Sequence, residues 1–311
     1  MEVSVIIQSI IIISILITIG AFFSKTFSFN EHTRKMFISL IINVAMPCII
    51  LSSIFQVDLN RETFKLIAFV FLISIFINLV GIGLGWGLAI IFQKHSNKKR
   101  ELAILSGLGN TGFIGIPLCA ALIGPKGALF AAIFDAGVDF TIWTAGVIIL
   151  QKKGSFTFQT LKAMVNIPTA AIVVGIVLAF FNIKPPNLLI QVTEQLAGMA
   201  APLAMFYIGV LIMTLRRAKV RESSQEVWLP ISVKLIIMPL VVALMIHILS
   251  VEKEITQTVL IQSMMPSLTL AAILFSKYSA DEELGTITTV LSTIISLSTI
   301  PIMFLLINAV F

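Results

Sequence analysis

Hydrophobic residues form long runs along this chain, and short polar segments separate the runs. Ten apolar stretches can be marked, each bounded by charged or turn-forming residues: 3–23, 36–55, 66–92, 102–123, 128–150, 161–181, 188–211, 228–250, 255–276 and 284–310. A helix needs about 20 apolar residues to cross a bilayer. Backbone groups in lipid must be hydrogen-bonded within their own segment, so these stretches should be helices. The pattern predicts an all-α integral membrane protein with ten transmembrane helices, here called spans 1 to 10.

Composition supports a lipid environment. Of the 311 residues, 58% are hydrophobic and only 12% are charged, and the mean hydropathy is +1.06. An ordinary soluble domain has roughly a quarter of its residues charged. A soluble globular protein is therefore excluded. The acidic Glu2 and the length of the first apolar run differ from a secretory signal, so we interpret the run to Phe23 as a retained first span.

Several kinds of chemistry are not expected. The two cysteines, Cys48 and Cys119, lie inside separate apolar runs without a C-x-x-C pattern. Structural zinc, iron–sulfur and disulfide frameworks are thus disfavoured. The chain has no H-E-x-x-H motif and no acidic run at metal spacing, so we expect neither an enzyme nor a bound cofactor.

Lys and Arg residues predict the orientation. The odd-numbered loops and their borders hold 15 basic residues, the even-numbered ones hold 5, and Lys234 alone lies inside a span. Basic residues accumulate on the cytoplasmic side, so the odd loops should be cytoplasmic and both termini extracytoplasmic, in the plasma or inner membrane. The net charge of +6 follows this topology and does not indicate nucleic-acid binding.

The two halves of the chain show a faint internal similarity. Ala45-Met46-Pro47 in span 2 corresponds to Ala200-Ala201-Pro202 in span 7, and Pro117 in span 4 corresponds to Pro266 in span 9. Five spans are an odd number, so a second set of five enters the membrane in the opposite sense. We therefore expect two inverted five-helix repeats, residues 1–150 and 151–311, in one membrane domain. Inverted repeats are typical of secondary transporters, which bind substrate where helices are broken.

Span 4 contains a segment that should not remain helical throughout. Four glycines and a proline lie between Gly107 and Pro117, and each weakens a helix. Unwound backbone at membrane depth lines a cavity or is buried in protein, and Asn110 and Thr111 would add polar groups there. The alternative is that the glycines only let helices pack closely, as Gly81, Gly83, Gly85 and Gly87 of span 3 are expected to do.

Span 9 contains the corresponding break at Met264-Met265-Pro266, with Ser263, Ser267 and Thr269 as nearby polar residues. A simple proline kink is the alternative interpretation. If both spans are broken, their half-helices cross near the prolines and direct their ends toward one cavity.

The sequence resembles a known family. The string Gly109-Asn110-Thr111-Gly112-Phe113-Ile114-Gly115-Ile116-Pro117, the segment Ala201-Pro202-Leu203-Ala204, and the pairs Met238-Pro239 and Met265-Pro266 resemble the auxin efflux carrier family, especially its malonate- and malate-transporter-like bacterial members. The resemblance covers nearly the whole chain. It implies ten spans in two inverted repeats with crossing broken helices, spans 4 and 9. It also implies a substrate site beside the crossing, which carries over to Asn110, Thr111, Gly112, Pro117, Pro266 and Ser267.

Three charged residues within the spans are candidates for function. Asp135 and Asp139 are four residues apart on span 5, so they share a helix face, and the cost of charge in lipid predicts that this face is turned inward. They are candidates for ion coupling, although a structural hydrogen bond would also explain either one. Lys234 in span 8 could snorkel to the membrane surface, pair with Asp139 or assist a substrate carboxylate.

These features favour a secondary active transporter of small organic anions, mono- or dicarboxylates such as malonate or malate, that works by an elevator-like movement. Its partners would be the anion and the lipid bilayer, with a homodimer left open and no nucleic acid. A proton or sodium ion would be the coupling ion. The alternatives are a sodium/proton antiporter using Asp135 and Asp139, or a non-transporting membrane sensor.

Overall fold

The structure is a computed structural model that describes residues 3–27, 30–57, 60–92, 98–151, 166–181, 183–213, 224–249 and 251–310. In this part of the chain all regular secondary structure is helical. The helices are α1 (Val3–Phe23), α2 (Glu31–Leu40, Ile41–Ala45 and Met46–Gln56), α3 (Arg61–Phe92), α4 (Lys99–Gly107), α5 (Thr111–Gly115 and Ile116–Ile123), α6 (Pro125–Thr141, Ile142–Gly146 and Val147–Leu150), α7 (Ile167–Phe180), α8 (Asn187–Ala197), α9 (Ala200–Met213), α10 (Ser224–Ser232, Val233–Ile237 and Met238–Leu249), α11 (Lys253–Ser263), α12 (Ala271–Lys277) and α13 (Glu282–Val310).

Six helices of the described residues are long and apolar enough to cross a membrane: Lys35–Gln56, Arg61–Phe92, Pro125–Leu150, Asn187–Val210, Glu226–Leu249 and Glu282–Ile307. Three shorter apolar helices are Ile11–Phe23, Thr111–Ile123 and Ile167–Phe180. The protein is thus an all-helical, multi-pass membrane protein. The total of ten crossings and the division at residue 150 stay predictions, as does the part of span 6 before residue 166, which lies outside the described residues.

Wider π-helical turns precede three of the intrahelical prolines. The turns Ile41–Ala45, Thr111–Gly115 and Val233–Ile237 each come two residues before a proline, at positions 47, 117 and 239. Proline lacks an N–H group and its ring collides with the carbonyl four residues earlier, which falls within the turn in each case. A π-helical turn gives that carbonyl room. Helix α5 therefore continues through Pro117, where the sequence had suggested unwinding, and only residues 108–110 of that segment lack regular helix.

Several polar side chains are buried inside the helical bundle, and many large apolar ones are exposed on its outer surface. Ser74, Asn78, Thr258 and Gln262 are at most 2% exposed, whereas Phe92 is 71% exposed. Other highly exposed apolar residues include Phe22, Leu72, Phe180, Leu188 and Ile248. An exposed apolar surface of this extent is unfavourable in water but favourable in contact with lipid. The distribution agrees with the composition.

Ion pairs join chain connections at each end of the bundle. The ammonium group of Lys98, before α4, lies 2.8 Å from Glu226 of α10 and 2.7 Å from Asp281, before α13. We call this the odd-loop end, because the third, seventh and ninth connections meet there. Lys126 and Glu254, 3.3 Å apart, join the fourth and eighth connections at the opposite, even-loop end. Three odd-numbered connections thus meet at one end and two even-numbered ones at the other, whereas the alternation of all ten spans and the side that faces the cytoplasm stay predictions.

The Lys98 cluster should make stability depend on pH. Burial alone would raise the pKa of Asp281, but the hydrogen bonds from Lys98 and from the Leu284 N–H outweigh it and hold the pKa below its usual value. Burial alone would lower the pKa of Lys98, but its acidic partners outweigh this and raise the pKa. The depressed carboxyl stabilises the fold above its unfolded pKa and the raised ammonium does so below its own, so the contribution spans about pH 4 to 10.

Lys98→Met is therefore expected to lower the free energy of unfolding by about 1 kcal/mol or less at pH 7, as for other partly exposed ion pairs. Thermal unfolding of the purified protein at several pH values measures this. The difference from wild type should shrink below about pH 4, where Asp281 becomes protonated. A difference that stays constant from pH 3 to 7 would contradict this assignment.

The helices pack in two groups. Helices α1, α2, α7, α8 and α9 form the flanking group, in which α1 lies along α9 and α2 along α7 and α8. The remaining helices form the crossing group, in which α3 packs on α4 and α6, α5 and α11 pack on α6, and α12 packs on α13. Each group draws helices from both halves of the sequence. The cavity described below lies between the groups.

Two of the four glycines of α3 serve close packing. A Cβ on Gly81 would lie 2.8 Å from the Cα of Gly107, and one on Gly85 would lie 2.7 Å from the Ser106 hydroxyl. Gly83 and Gly87 have nothing within 4 Å of that position, so the packing role expected for them is wrong. Residues two apart on a helix point in nearly opposite directions, so only one of the two alternating sets can face α4.

Candidate functional site

The chain has two interruptions that meet in the middle of the bundle. Residues 108–110 separate α4 from α5, and residues 264–270 separate α11 from α12. Gly109 and Ser267 pair there as an isolated antiparallel bridge. The Asn110 N–H donates to the Pro266 carbonyl at 2.7 Å, and the Leu268 N–H donates to the Leu108 carbonyl at 3.1 Å. Backbone groups that helix geometry leaves unpaired thus bond to each other, which lets non-helical chain exist at this depth.

A cavity lies beside this crossing, with about 810 Å³ of empty space including its open mouth. The crossing group contributes residues 109–113, the α6 face with Asp135 and Asp139, and residues 268–270. The flanking group contributes Asn166 and Pro168 at the start of α7 and three apolar residues of α2, Ile38, Ile42 and Met46. Apart from the crossing itself and Asp135, which lies near the middle of α6, these residues belong to the halves of their helices nearest the odd-loop end. The cavity therefore opens toward that end.

Both carboxylates face the cavity, as their spacing predicted, and each accepts a hydrogen bond. The Thr111 hydroxyl donates to Asp135 Oδ1 at 2.5 Å, and the Asn166 amide nitrogen donates to Asp139 Oδ2 at 2.9 Å. Gly112 has no side chain because Asp135 occupies that space: a Cβ there would lie 2.6 Å from Asp135 Oδ2. The site thus combines two acidic groups with fixed polar donors in an otherwise apolar wall.

Two helix N-termini also face this space. Thr111 and Gly112 begin α5, and the N-cap residue Asn166 begins α7. The first N–H groups of a helix have no partner within the helix and carry a partial positive charge. An anion in the cavity would meet the N–H groups at the start of α5, whereas α7 offers fewer, because Pro168 has no N–H and the Thr169 N–H is bonded to Asn166 Oδ1. The cavity wall thus carries both carboxylates and N–H donors.

Three predicted site residues lie behind this wall. Ser267 is fully buried, and its hydroxyl donates to the Leu105 carbonyl at 2.9 Å. Pro266 contributes its carbonyl to the crossing bond with Asn110. Pro117 lies in the second turn of α5, buried and beyond the cavity. Ser267 and Pro266 thus hold the crossing together and Pro117 lies within α5, while Asn110, Thr111 and Gly112 line the cavity.

Lys234 is buried, so the prediction of a snorkelling side chain is wrong. It is only 2% exposed, and its ammonium group donates to the Ser263 carbonyl at 3.3 Å. Ser263 ends α11, whose last carbonyls carry partial negative charge that a cation stabilises. The pair with Asp139 that the sequence left open does not form, because Asp139 faces the cavity and Lys234 packs against Gly109, which has room for it only without a Cβ.

Comparison with known proteins identifies the family of the chain. A family model described as membrane transport protein matches residues 5–159 and 155–304. The chain belongs to this family, the auxin efflux carrier family. The resemblance inferred from the Gly-Asn-Thr-Gly string and the proline pairs is confirmed.

Three relatives of this transporter illustrate how far the similarity extends. An uncharacterized transporter of Methanothermobacter thermautotrophicus is 24% identical over 300 residues, which cover 95% of this chain and 96% of that protein. An uncharacterized transporter of Methanocaldococcus jannaschii is 29% identical over 65% of this chain and 67% of its own. A Rhizobium meliloti protein named "Putative malonate transporter" is 24% identical over 62% of each chain. The family and these relatives are transporters and not enzymes.

Sequence reasoning missed two polar residues of the transporter. Asn166 precedes α7 in an Asn-x-x-Thr pattern, which indicates a helix cap but does not reveal its contact with Asp139. Gln262 of α11 is fully buried and donates to the Ala131 carbonyl of α6 at 3.3 Å. Its side-chain oxygen lies against Gly115 of α5. The available signal for Gln262 was a large polar residue directly after the apolar run 259–261 near the end of α11.

Gly115→Ala is expected to destabilise the transporter by about 1 to 3 kcal/mol, as overpacking of a core does. The added Cβ would overlap the Gln262 amide, which is enclosed by α5 and α6 and has little freedom to move. Gly83→Ala is the matched control, because nothing lies within 4 Å of its Cβ position. Thermal unfolding should show the loss for Gly115→Ala alone. Equal behaviour of the two variants would mean that Gln262 does not occupy this space.

Proposed function

We propose that the chain is a secondary active transporter of small organic anions, mono- or dicarboxylates such as malonate or malate, which bind in the cavity beside the crossing. One observation carries the proposal: the paired interruptions at Gly109 and Ser267 place the N-terminus of α5 at a cavity that also holds donors and carboxylates. Interrupted helices that direct their ends toward a midplane site are how secondary transporters bind ions and anionic substrates. The relative named for malonate supports the substrate class.

The proposed anion site consists of the Asn110 side chain and the first N–H groups of α5, with the start of α7 opposite. Helix N-termini bind carboxylates through oriented N–H groups and the helix dipole. The apolar side chains of α2 complete the wall and suit a short carbon chain.

A coupling cation is part of the proposal. An anion that enters this cavity meets Asp135 and Asp139, and like charges at short distance in a poorly hydrated site repel strongly. A proton or a sodium ion on the carboxylates would remove that repulsion. Binding of cation and anion would then favour each other, which couples the flow of one to that of the other.

The proposed movement is a displacement of the crossing group against the flanking group, in an elevator-like manner. The position of the cavity between the two groups supports it. A second, apolar cavity with about 570 Å³ of empty space lies between α1 and α9 of the flanking group and α5, α11 and α13. An interface of this kind, with few polar groups to re-pair, suits sliding. Ten spans arranged as inverted repeats 1–150 and 151–311 would provide the corresponding states.

Under the predicted orientation the odd-loop end is cytoplasmic and both termini are extracytoplasmic, so this conformation would be open to the cytoplasm. Labelling of Glu282→Cys at the odd-loop end and of Lys253→Cys at the even-loop end in intact cells, with a reagent that does not cross membranes, tests the sidedness. Reaction at Lys253→Cys alone is expected.

Transport by proteoliposomes tests the function itself. Uptake of radiolabelled malonate, malate and a monocarboxylate should depend on a proton or sodium gradient and be competed by unlabelled substrate. Thermal unfolding against a panel of carboxylates at two pH values, with and without sodium, should show stabilisation by the substrate and its ion. Cation flux without any organic anion, combined with no carboxylate uptake, would overturn the proposal in favour of sodium/proton exchange.

Asn110→Ala is expected to weaken substrate binding about tenfold without unfolding the protein. The side chain lines the cavity, whereas the crossing bond to Pro266 uses the backbone N–H and is kept. Loss of one hydrogen bond to a charged ligand costs about 1.5 to 3 kcal/mol. The dissociation constant measured by calorimetry checks this, with Asn43→Ala, an exposed α2 asparagine outside the cavity, as the control. Unchanged affinity would remove Asn110 from the site.

A further inference from the structure

Asn166 occupies a position in which its amide group has a fixed orientation. Its Oδ1 accepts two hydrogen bonds, from the Thr169 N–H and from the Thr169 hydroxyl, each at 2.8 Å. The Nδ2 group therefore points the other way, where it donates to Asp139 Oδ2 at 2.9 Å. A flip of the amide would break both cap bonds and face two oxygens toward each other. Asn166 can thus only donate to Asp139.

Two other helices of this chain begin with the same cap. Asn30 with Thr33 starts α2, and Asn60 with Thr63 starts α3, and in each the asparagine oxygen accepts from both the threonine N–H and its hydroxyl. Asn30 and Asn60 are exposed, whereas Asn166 is half-buried at the cavity. Capping alone accounts for the first two. The bond to a carboxylate on another helix is the additional feature of Asn166.

This bond connects the two packing groups. Asn166 precedes α7, which packs along α2 in the flanking group, and Asp139 belongs to α6 in the crossing group. The other carboxylate differs, because Asp135 accepts from Thr111 of α5, which lies in its own group. A displacement of the crossing group would carry the Asp135 bond along but would have to break the Asp139 bond.

The strength of this bond depends on the charge of Asp139. A hydrogen bond to an ionised acceptor is about twice as strong as one between neutral groups. A proton on Oδ2 would replace the acceptor by a donor that faces the Asn166 N–H group. A proton on Oδ1 would leave a weaker, neutral acceptor. In either case protonation loosens the connection between α6 and α7.

We infer that Asn166 is a positioning residue that latches the crossing group to the flanking group while Asp139 is charged, and releases it when Asp139 is protonated. The inference rests on the proposed function, which it deepens by assigning the step that links proton binding to movement. The latch holds the conformation in which the cavity is open toward the odd-loop end. Protonation would then shift the population away from that conformation.

Asp135 is the other charged side chain among the described residues that line the cavity. The other ionisable side chains that the structure describes on α6 and on the helices packed against it lie outside the cavity wall: Lys126 on α6, His32, Lys35 and Cys48 on α2, Arg61, Glu62 and Lys65 on α3, Lys99, Arg100 and Glu101 on α4, Cys119 on α5, Lys253 and Glu254 on α11, and Lys277 on α12, whose ammonium group lies 5.4 Å from the centre of the Trp143 ring of α6. Helix α7 contributes none. A pH response of the latch therefore reports Asp139, with Asp135 as the residue to separate from it.

Thiol labelling tests the latch without the need for a known substrate. Thr269→Cys places a reporter in the cavity wall, in the full-length protein with Cys48→Ala and Cys119→Ala. A charged methanethiosulfonate reagent is applied to membrane vesicles of the orientation in which Glu282→Cys at the odd-loop end is labelled. The rate at Thr269→Cys divided by the rate at Glu282→Cys removes the pH dependence of the thiol reaction. This ratio measures how often the cavity is open to the odd-loop end.

The latch predicts a ratio that falls on the order of tenfold between pH 8 and pH 5. Asn166→Ser keeps a helix-capping hydroxyl but loses the donor to Asp139, so its ratio should already be low at pH 8 and change little with pH. Asp139→Asn should lie between, since a neutral acceptor remains. Asp135→Asn should still show a ratio that falls from pH 8 to pH 5, because the bond between Asn166 and Asp139 does not involve Asp135. Asn60→Ala controls for the loss of a cap.

An unchanged ratio and pH response in Asn166→Ser would overturn the latch, as would an equal effect of Asn60→Ala. The experiments distinguish failure of the latch from failure of the proposed transport function. Gradient-driven uptake with normal labelling in Asn166→Ser would retain the transport function and remove the latch. The predicted labelling pattern without carboxylate uptake would retain the latch and remove the proposed substrate class.

Discussion

Gly209→Leu is expected to prevent stable packing of α1 on α9 and to destabilise the transporter by more than about 3 kcal/mol. A Cβ on Gly209 would overlap the Ile17 carbonyl oxygen and lie 2.6 Å from the Ala21 backbone nitrogen. The contact is reciprocal, because a Cβ on Gly20 would overlap the Phe206 carbonyl oxygen. The obstacles are backbone atoms of regular helices, so a rotamer change cannot relieve the collision. Small residues at such crossings let membrane helices approach closely.

The yield of monodisperse protein and its unfolding temperature in detergent measure this effect. Gly87→Leu is the matched control, since it adds the same side chain to a helix position with nothing within 4 Å. We expect the control to fold like wild type and Gly209→Leu to be lost or to unfold at much lower temperature. Similar stability of the two variants would mean that α1 and α9 do not approach this closely. Gly20→Leu should reproduce the defect from the other helix.

Glycines show why sequence alone could not separate packing from site. Gly81, Gly83, Gly85 and Gly87 look alike in the sequence, yet only the first and third contact α4. Gly112 and Gly115 belong to one string, yet the first leaves room for Asp135 and the second for Gln262. A missing Cβ becomes informative only when the neighbouring group is known. The neighbour comes from helices that are distant in the sequence.

The apolar pattern predicted helix positions well, for a physical reason. A helix in lipid ends where polar residues allow its backbone to reach water, so the predicted span 228–250 and the observed α10, Ser224–Leu249, nearly coincide. Interruptions within a helix were harder to predict from the sequence. The Gly-rich string suggested unwinding through Pro117, whereas a π-helical turn accommodates that proline and the interruption falls at residues 108–110. A helix can accommodate a proline by unwinding, by a kink or by a π-helical turn, and tertiary packing decides which of these forms.

For the charged residues of the spans, too, one property could be predicted from the sequence and another could not. Their cost in lipid correctly predicted that Asp135 and Asp139 face the protein interior, because this follows from burial energy alone. The hydrogen-bond partners could not be predicted from the sequence. Thr111 and Asn166 reach the two carboxylates, and the Ser263 carbonyl reaches Lys234, only in the folded arrangement. Lys234 had the length to reach the surface, but the end of α11 provides a carbonyl at closer range. Burial was thus predictable, whereas pairing was not.

Replacing both cavity carboxylates, Asp135→Asn with Asp139→Asn, is expected to abolish gradient-driven accumulation of substrate. The pair holds the negative charge that an entering anion meets, so the proposed coupling ion has no binding group once both are amides. The anion itself should still bind, because the cavity loses repulsion and keeps the N-terminus of α5. Transport should become passive, with the concentration ratio across the membrane falling from at least about tenfold to unity, the loss of some 1.4 kcal/mol of coupling.

Two assays on the same proteoliposomes separate coupling from folding. Accumulation under an imposed pH or sodium gradient should disappear in the double variant, while exchange of labelled for unlabelled substrate at equal concentrations should continue. Glu101→Gln is the matched control, since Glu101 is a buried carboxyl of α4 outside the cavity wall and its replacement should leave accumulation intact. Accumulation that persists in the double variant would place the coupling ion elsewhere. Loss of exchange as well as accumulation would show that the carboxylates bind the substrate or maintain the cavity, because the N-terminus of α5 alone would then not hold the anion.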